Sequence, residues 1–253
     1  MEDFNAGALP WCEFGDVESG SDRPTTSATF VSAQESLEGP TTPRNVVLQW
    51  PPAASIVGAL IEALAAATAC NDGEAIAAAV MHLAVLLDSS CRDDGAAIGA
   101  AMRAGPALES LVRLLDHADQ RVTQATLLLI GNLSTHDVDE AADATLHAFR
   151  TLGSFERLLP HAQSTSPLTV MYALGAIRNQ MTGLNEVTLL QTSGVLAELQ
   201  QIAAGRPQAE AGATSVPFAD ALDHPRLRQF ACGCLINVRQ ILTANELGNA
   251  NGS

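Results

Sequence analysis

An apolar helical pattern closed by an asparagine occurs three times in this chain, and no other feature of the sequence constrains the fold as strongly. It reads Arg121-Val-Thr-Gln-Ala-Thr-Leu-Leu-Leu-Ile-Gly-Asn132, then Leu168-Thr-Val-Met-Tyr-Ala-Leu-Gly-Ala-Ile-Arg-Asn179, then Arg226-Leu-Arg-Gln-Phe-Ala-Cys-Gly-Cys-Leu-Ile-Asn237. A weaker fourth copy, Ala77-Ala-Ala-Val-Met-His-Leu-Ala-Val85, has Val85 in the asparagine position. A supersecondary unit repeated in this way buries its apolar face only by stacking on its neighbours, so the chain reads as an array of helical repeats.

Start and stop signals divide the rest of the chain into helices. Helices are expected over 53–69 and 74–88, separated by the turn signature Asn71-Asp72-Gly73, then over 94–104 and 107–116 around Gly105-Pro106. Asp119 is placed to cap the helix over 121–135, and Asp137 to cap one that runs to Leu152. Ser166-Pro167 is a strong start for a helix through Met181; shorter helices are expected over 155–163, 185–193 and 195–204. An Ala/Gly/Pro-rich insertion, 205–222, precedes a last helix from Asp223-His224-Pro225 through Leu242, and the Asn/Gly-rich end, 244–253, is expected to fray. Each unit is thus a short helix, a second helix and a longer third one. A glycine precedes each second helix, at Gly105, Gly153 and Gly194, where a sharp turn favours a residue without a Cβ.

Composition fits such an array. Hydrophobic residues make up 47% of the chain but aromatics only 4%, and a core of Ala and Leu suits close helix packing better than a sheet. All 13 basic residues are Arg, which excludes a phosphate-loop lysine, a Schiff-base lysine and a lysine general base. The net charge of -15 argues against nucleic acid or an anionic membrane as partner and favours a protein or peptide. The same charge also keeps an apolar scaffold in solution. Five scattered cysteines read as reduced thiols, no apolar run reaches the length of a membrane span, and the expected location is the cytosol, the nucleus or both.

Residues 1–50 carry eight acids and two arginines among Ser, Thr, Pro and Gly, without helical or alternating periodicity, and read as a disordered tail before a repeat domain over 51–243. Two apolar islands interrupt the tail, Leu9-Pro-Trp11-Cys-Glu-Phe14 and Val46-Val-Leu-Gln-Trp50. Either fits a short motif that folds onto a partner; the second fits equally a strip that covers the exposed end of the first repeat. Thr42-Pro43 has the form of a phosphorylation site, although such dipeptides are frequent by chance.

Residues 104–135, with Gly105, the apolar helix Leu108-Glu-Ser-Leu-Val-Arg-Leu-Leu115, a polar turn and then Leu129-Ile-Gly-Asn132-Leu, resemble an armadillo repeat. Residues 153–181 and 194–239 match more loosely, and 55–88 match by helix pattern. The resemblance implies an all-α, right-handed superhelix of about four repeats, and a non-enzymatic scaffold that holds an extended peptide in the groove of its third helices. By the same resemblance Asn132, Asn179 and Asn237 grip the peptide backbone, which an amide is suited to do because it both donates and accepts. The competing reading is that these asparagines hydrogen-bond neighbouring parts of the array. Going back along that face at helical spacing adds Leu128 and Arg121, then Gly175, Tyr172 and Leu168, then Gly233, Phe230 and Arg226, with Arg178 beside them. Import adaptors of this family carry Trp one turn before each Asn; here Leu128, Gly175 and Gly233 stand there, against a receptor for import signals. Arg121, Arg178 and Arg226 instead offer bidentate contacts to carboxylate or phosphate.

A second reading is a regulatory subunit, or a cofactor of a chaperone or enzyme, that binds a folded partner through its rim or convex face. An array of this length also fits pairing with a second copy, or a piece of a longer array. For catalysis, metal or cofactor the sequence offers little: Cys232 and Cys234 point to different faces of one helix and read as core thiols, and His117/Asp119 and His136/Asp137 fall at helix junctions. Only the insertion beside His224 is left as a place for a catalytic pocket.

Overall fold

The computed structural model describes residues 53–88, 92–205 and 225–251. The expectations for the tail and its islands, for most of the insertion with His224, and for Cys12 and Cys91 lie outside the described residues. Those described are organised into helices and turns alone: α1 (Ala53–Cys70), α2 (Gly73–Asp88), α3 (Arg92–Arg103), α4 (Ala107–Leu114), α5 (Gln120–Leu133), α6 (Ala142–Thr151), α7 (Ser154–Ala162), α8 (Pro167–Gln180), α9 (Leu184–Thr192), α10 (Val195–Ala204) and α11 (Pro225–Asn251). Three three-helix units, α3–α5, α6–α8 and α9–α11, follow a two-helix unit, α1–α2.

Local chemistry sets several boundaries. Asp119 is extended and its carboxylate accepts from the Arg121 N–H at 2.9 Å, capping α5. Ser166 does the same for α8, accepting from Thr169 N–H, with Pro167 where no donor is needed. Asn71 takes a left-handed conformation between α1 and α2, and the Asp72 side chain accepts from Ala75 N–H. Gly153 and Gly194 have φ of +67° and +83°, where a Cβ would be strained, whereas Gly105 does not take a positive φ and a Cβ there would meet nothing.

The third helices stack in sequence, α2 on α5, α5 on α8 and α8 on α11. Small buried residues, Ala125, Ala173, Gly175, Ala176 and Ala231, let these helices approach, and Leu83, Leu127, Leu129, Ile130, Val170, Leu174, Ile177 and Leu227 fill the interior. Each fully buried aliphatic side chain contributes about 1.5–3 kcal/mol.

Two boundaries differ from expectation. Asp137 does not start a helix: residues 134–141 form turns, and α6 begins at Ala142. The reason is Asp139, fully buried, whose carboxylate accepts from Ala141 N–H at 2.9 Å and pairs with Arg103 of α3. Arg103 also donates to Thr145 at 2.7 Å. The helix α3 comes so close that a Cβ at Gly95 would run into the Val138 carbonyl, and one at Gly99 into the Asp139 carboxylate. At the far end α11 continues past Leu242 to Asn251, and Leu242 to Gly248 are exposed along it.

Candidate functional site

The turns after α5 and α8, the C-terminal end of α8, the middle of α11 and part of α6 surround a cleft of about 340 Å³. Arg178, Asn179 and Asn237 line it from the third helices, Ser134, Thr135, His136 and Asp137 from the turn after α5, Met181 and Thr182 from the turn after α8, and Asp143 and Leu146 from α6. Stacking explains the assembly, since third helices packed in register bring Asn179 and Asn237 beside the turns that follow α5 and α8.

The asparagines form a cross-helix ladder. Asn179 Nδ2 donates to the carbonyl of Gly131, the residue before Asn132, at 3.0 Å; Asn237 Nδ2 donates to the carbonyl of Arg178, the residue before Asn179, also at 3.0 Å. One N–H of each amide is thus tied to the preceding repeat, while the side chain as a whole still borders the cleft. Asn132 breaks the series. It is 1% exposed, does not line the cleft, and neither its Nδ2 nor its Oδ1 has a hydrogen-bond partner.

The structure brings Arg178 to the two laddered asparagines and leaves the other expected residues elsewhere. Leu128 and Tyr172 are half-buried against the core, and Phe230 is buried within it. Arg121 and Arg226 are exposed at the starts of α5 and α11; Arg121, for example, is eleven residues or about 16 Å of helix from Asn132. Asp119 binds the Arg121 guanidinium as well as its N–H, which lowers the Asp119 carboxyl below its ordinary range and raises Arg121. Leu168 is 41% exposed and lines a separate, mainly apolar cavity of about 280 Å³ with Ser166, Pro167, Met171 and Leu227.

Sequence reasoning missed the turn residues of the cleft, having assigned His136 and Asp137 to solvent and capping. The available signal was their place within five residues of Asn132, repeated by Met181 and Thr182 after Asn179. The cleft is electrostatically mixed: Arg178 lies over Gly233, where a Cβ would press on its Cδ and Nε, and the exposed His136 sits 3.4 Å from Asp143. Its floor is fixed by buried polar contacts, with Ser134 donating to the Ile130 carbonyl at 2.7 Å and Ser154 donating to Gln180 at 2.6 Å. Amides, hydroxyls and a guanidinium arranged this way are suited to holding polar groups.

The two adjacent thiols part company: Cys234 is buried, donates to the Leu174 carbonyl and is pushed up to about 12 by burial, whereas Cys232 is exposed rather than in the core. Among the described residues there is no group of three His, Cys, Asp or Glu side chains placed to hold a metal, and no helix long and apolar enough to cross a membrane.

Comparison with known proteins gives a fold. No family model matches the sequence, and no curated protein does. Among solved structures, two engineered proteins are similar, at 20% and 21% identity and TM-scores of 0.52 and 0.51, over 73% and 72% of this chain. This chain spans 62% and 37% of their lengths. A designed armadillo repeat protein in complex with the peptide (KR)4 aligns at 21% identity and a TM-score of 0.49, over 73% of this chain and 64% of its own. With three-helix units and stacked third helices, the chain has an all-α helical-repeat fold, which it shares with these engineered proteins.

Proposed function

We propose that this protein is a binding scaffold that holds an extended segment of a partner protein across its third helices, gripping the main chain through Asn179 and Asn237. One observation carries this reading: two amides on neighbouring helices, oriented alike by bonds to the preceding repeat, line one cleft. Each retains a carbonyl oxygen and a second N–H, the pair of functions that a peptide's alternating groups require. Packed helices lie about 8–10 Å apart, and an extended chain advances about 3.3 Å per residue, so successive amides meet groups two or three residues apart. Arg178 and Thr182 then face the side chains of the bound segment, with Leu146 and Met181 as apolar floor.

The test is selection of displayed peptides on the full chain, followed by affinity measurement with an Asn179→Ala/Asn237→Ala variant of equal helicity. Loss of two main-chain hydrogen bonds weakens every selected peptide about tenfold to a hundredfold, whatever its sequence. Undiminished binding would sink the reading and move the search to the rim and the convex face, where a folded partner would dock.

A further inference from the structure

The first unit ends the array with an unusually bare surface. Helix α1 carries one charged residue, Glu62, and exposes Ala59, Ala63 and Ala66. On α2 the exposed residues Ala78, Met81 and Val85 fall at intervals of three and four along one stripe, with Met81 41% and Val85 57% exposed and the exposed His82 beside them. Leu128 of α5, at the register position of Met81, extends the stripe towards the second repeat. A solenoid end of this kind needs a cover. Because α1 and α2 are joined by a short turn and pack along each other, Ala53 lies by the C-terminal end of α2. The chain upstream of Ala53 therefore enters next to Val85.

We propose that residues 46–50, Val-Val-Leu-Gln-Trp, dock on the stripe of Ala78, Met81 and Val85 within the same chain. Reach allows it: three chain steps lead from Trp50 to Ala53, about 10 Å of extended chain, and 46–50 span about 16 Å against roughly 10 Å between Ala78 and Val85 on the helix. Pro51 and Pro52 favour an extended approach and cannot continue α1 backwards past its first turn. Chemistry matches as well, because this uncharged strip lies in a chain of net charge -15 and the stripe from Ala78 to Val85 holds no carboxylate and no arginine. The other apolar island, 9–14, would close a far longer loop to reach the same place, at greater entropic cost. Val85 also stands where the asparagine ladder has no rung, so the docked strip covers the first position of the third-helix face and leaves Asn179 and Asn237 accessible.

The only tryptophans are Trp11 and Trp50, which supplies the experiment. In the full chain carrying Trp11→Phe, Trp50 is the single reporter. Its emission is expected to be blue-shifted, and its quenching by acrylamide severalfold weaker than in a peptide of residues 44–54, independently of protein concentration. A Met81→Gln/Val85→Gln variant, altered at two exposed positions, should return quenching to the peptide's value with unchanged circular dichroism. Peptide-like quenching in the parent overturns the proposal. So does protection that survives the double substitution, which places the strip elsewhere, or protection lost on dilution, which assigns the cover to a second copy.

Discussion

The junction of α2 with α5 and the junctions of α5 with α8 and α8 with α11 stack equivalent helices, yet different groups fasten them. At the later two, an asparagine amide reaches back to a carbonyl of the preceding third helix. At the first, Asn132 is buried without a partner and Val85 replaces the rung before it. The Arg103–Asp139 pair and the close approach of α3 at Gly95 and Gly99 join the second unit to the turn that leads into the third. Similar sequence copies therefore do different work according to what the neighbouring repeat offers them.

The strongest way to break this comparison is Asp139→Ala. Removing a fully buried carboxylate from its arginine and from the Ala141 N–H should cost about 3–5 kcal/mol in urea unfolding, with hydrogen exchange rising first in α3 and at the start of α6. A loss under about 1 kcal/mol would show that the ion pair does not fasten α3 to the turn before α6.

Next in size, the asparagines should respond with opposite signs. Asn132→Leu exchanges an unpartnered buried amide for an apolar group of similar size and should raise stability by about 1–3 kcal/mol. Asn179→Leu gives up a cross-helix hydrogen bond and should lower it by about 1 kcal/mol. Equal signs would erase the distinction between the junctions.

The glycines sharpen it further. Gly153→Ala and Gly194→Ala place a Cβ in left-handed backbone and should each cost about 1 kcal/mol, while Gly105→Ala should be neutral or slightly stabilising. The smallest effect is kinetic. At pH 8, well below the value of about 12 to which burial pushes it, Cys234 stays protonated and should resist alkylation until the protein unfolds, while Cys70 on α1 and Cys232 react in the native state.

What was legible in the sequence depended on how far away the deciding partner lay. The caps at Asp119 and Ser166-Pro167 bond to backbone two or three residues on, and both helix starts were readable within a residue. Asp137 and Asp139 look alike as caps. Only Asp139 meets Arg103, 36 residues back, and that contact moves the start of α6 to Ala142. In the site, proximity in sequence made Arg178 and Asn179 legible, whereas His136, Asp143 and Leu146 join them only through stacking.

By itself the sequence determined the repeated unit, because a helix with one apolar face and small residues in its middle has few stable partners other than its own copies. It also determined that an asparagine would recur at one register position of those helices. Which of them bonds a neighbour and borders a cleft, and which is sealed in the core without a partner, was decided by tertiary structure. An amide's role depends on the carbonyl or the void opposite it, and that is supplied by residues some fifty positions away.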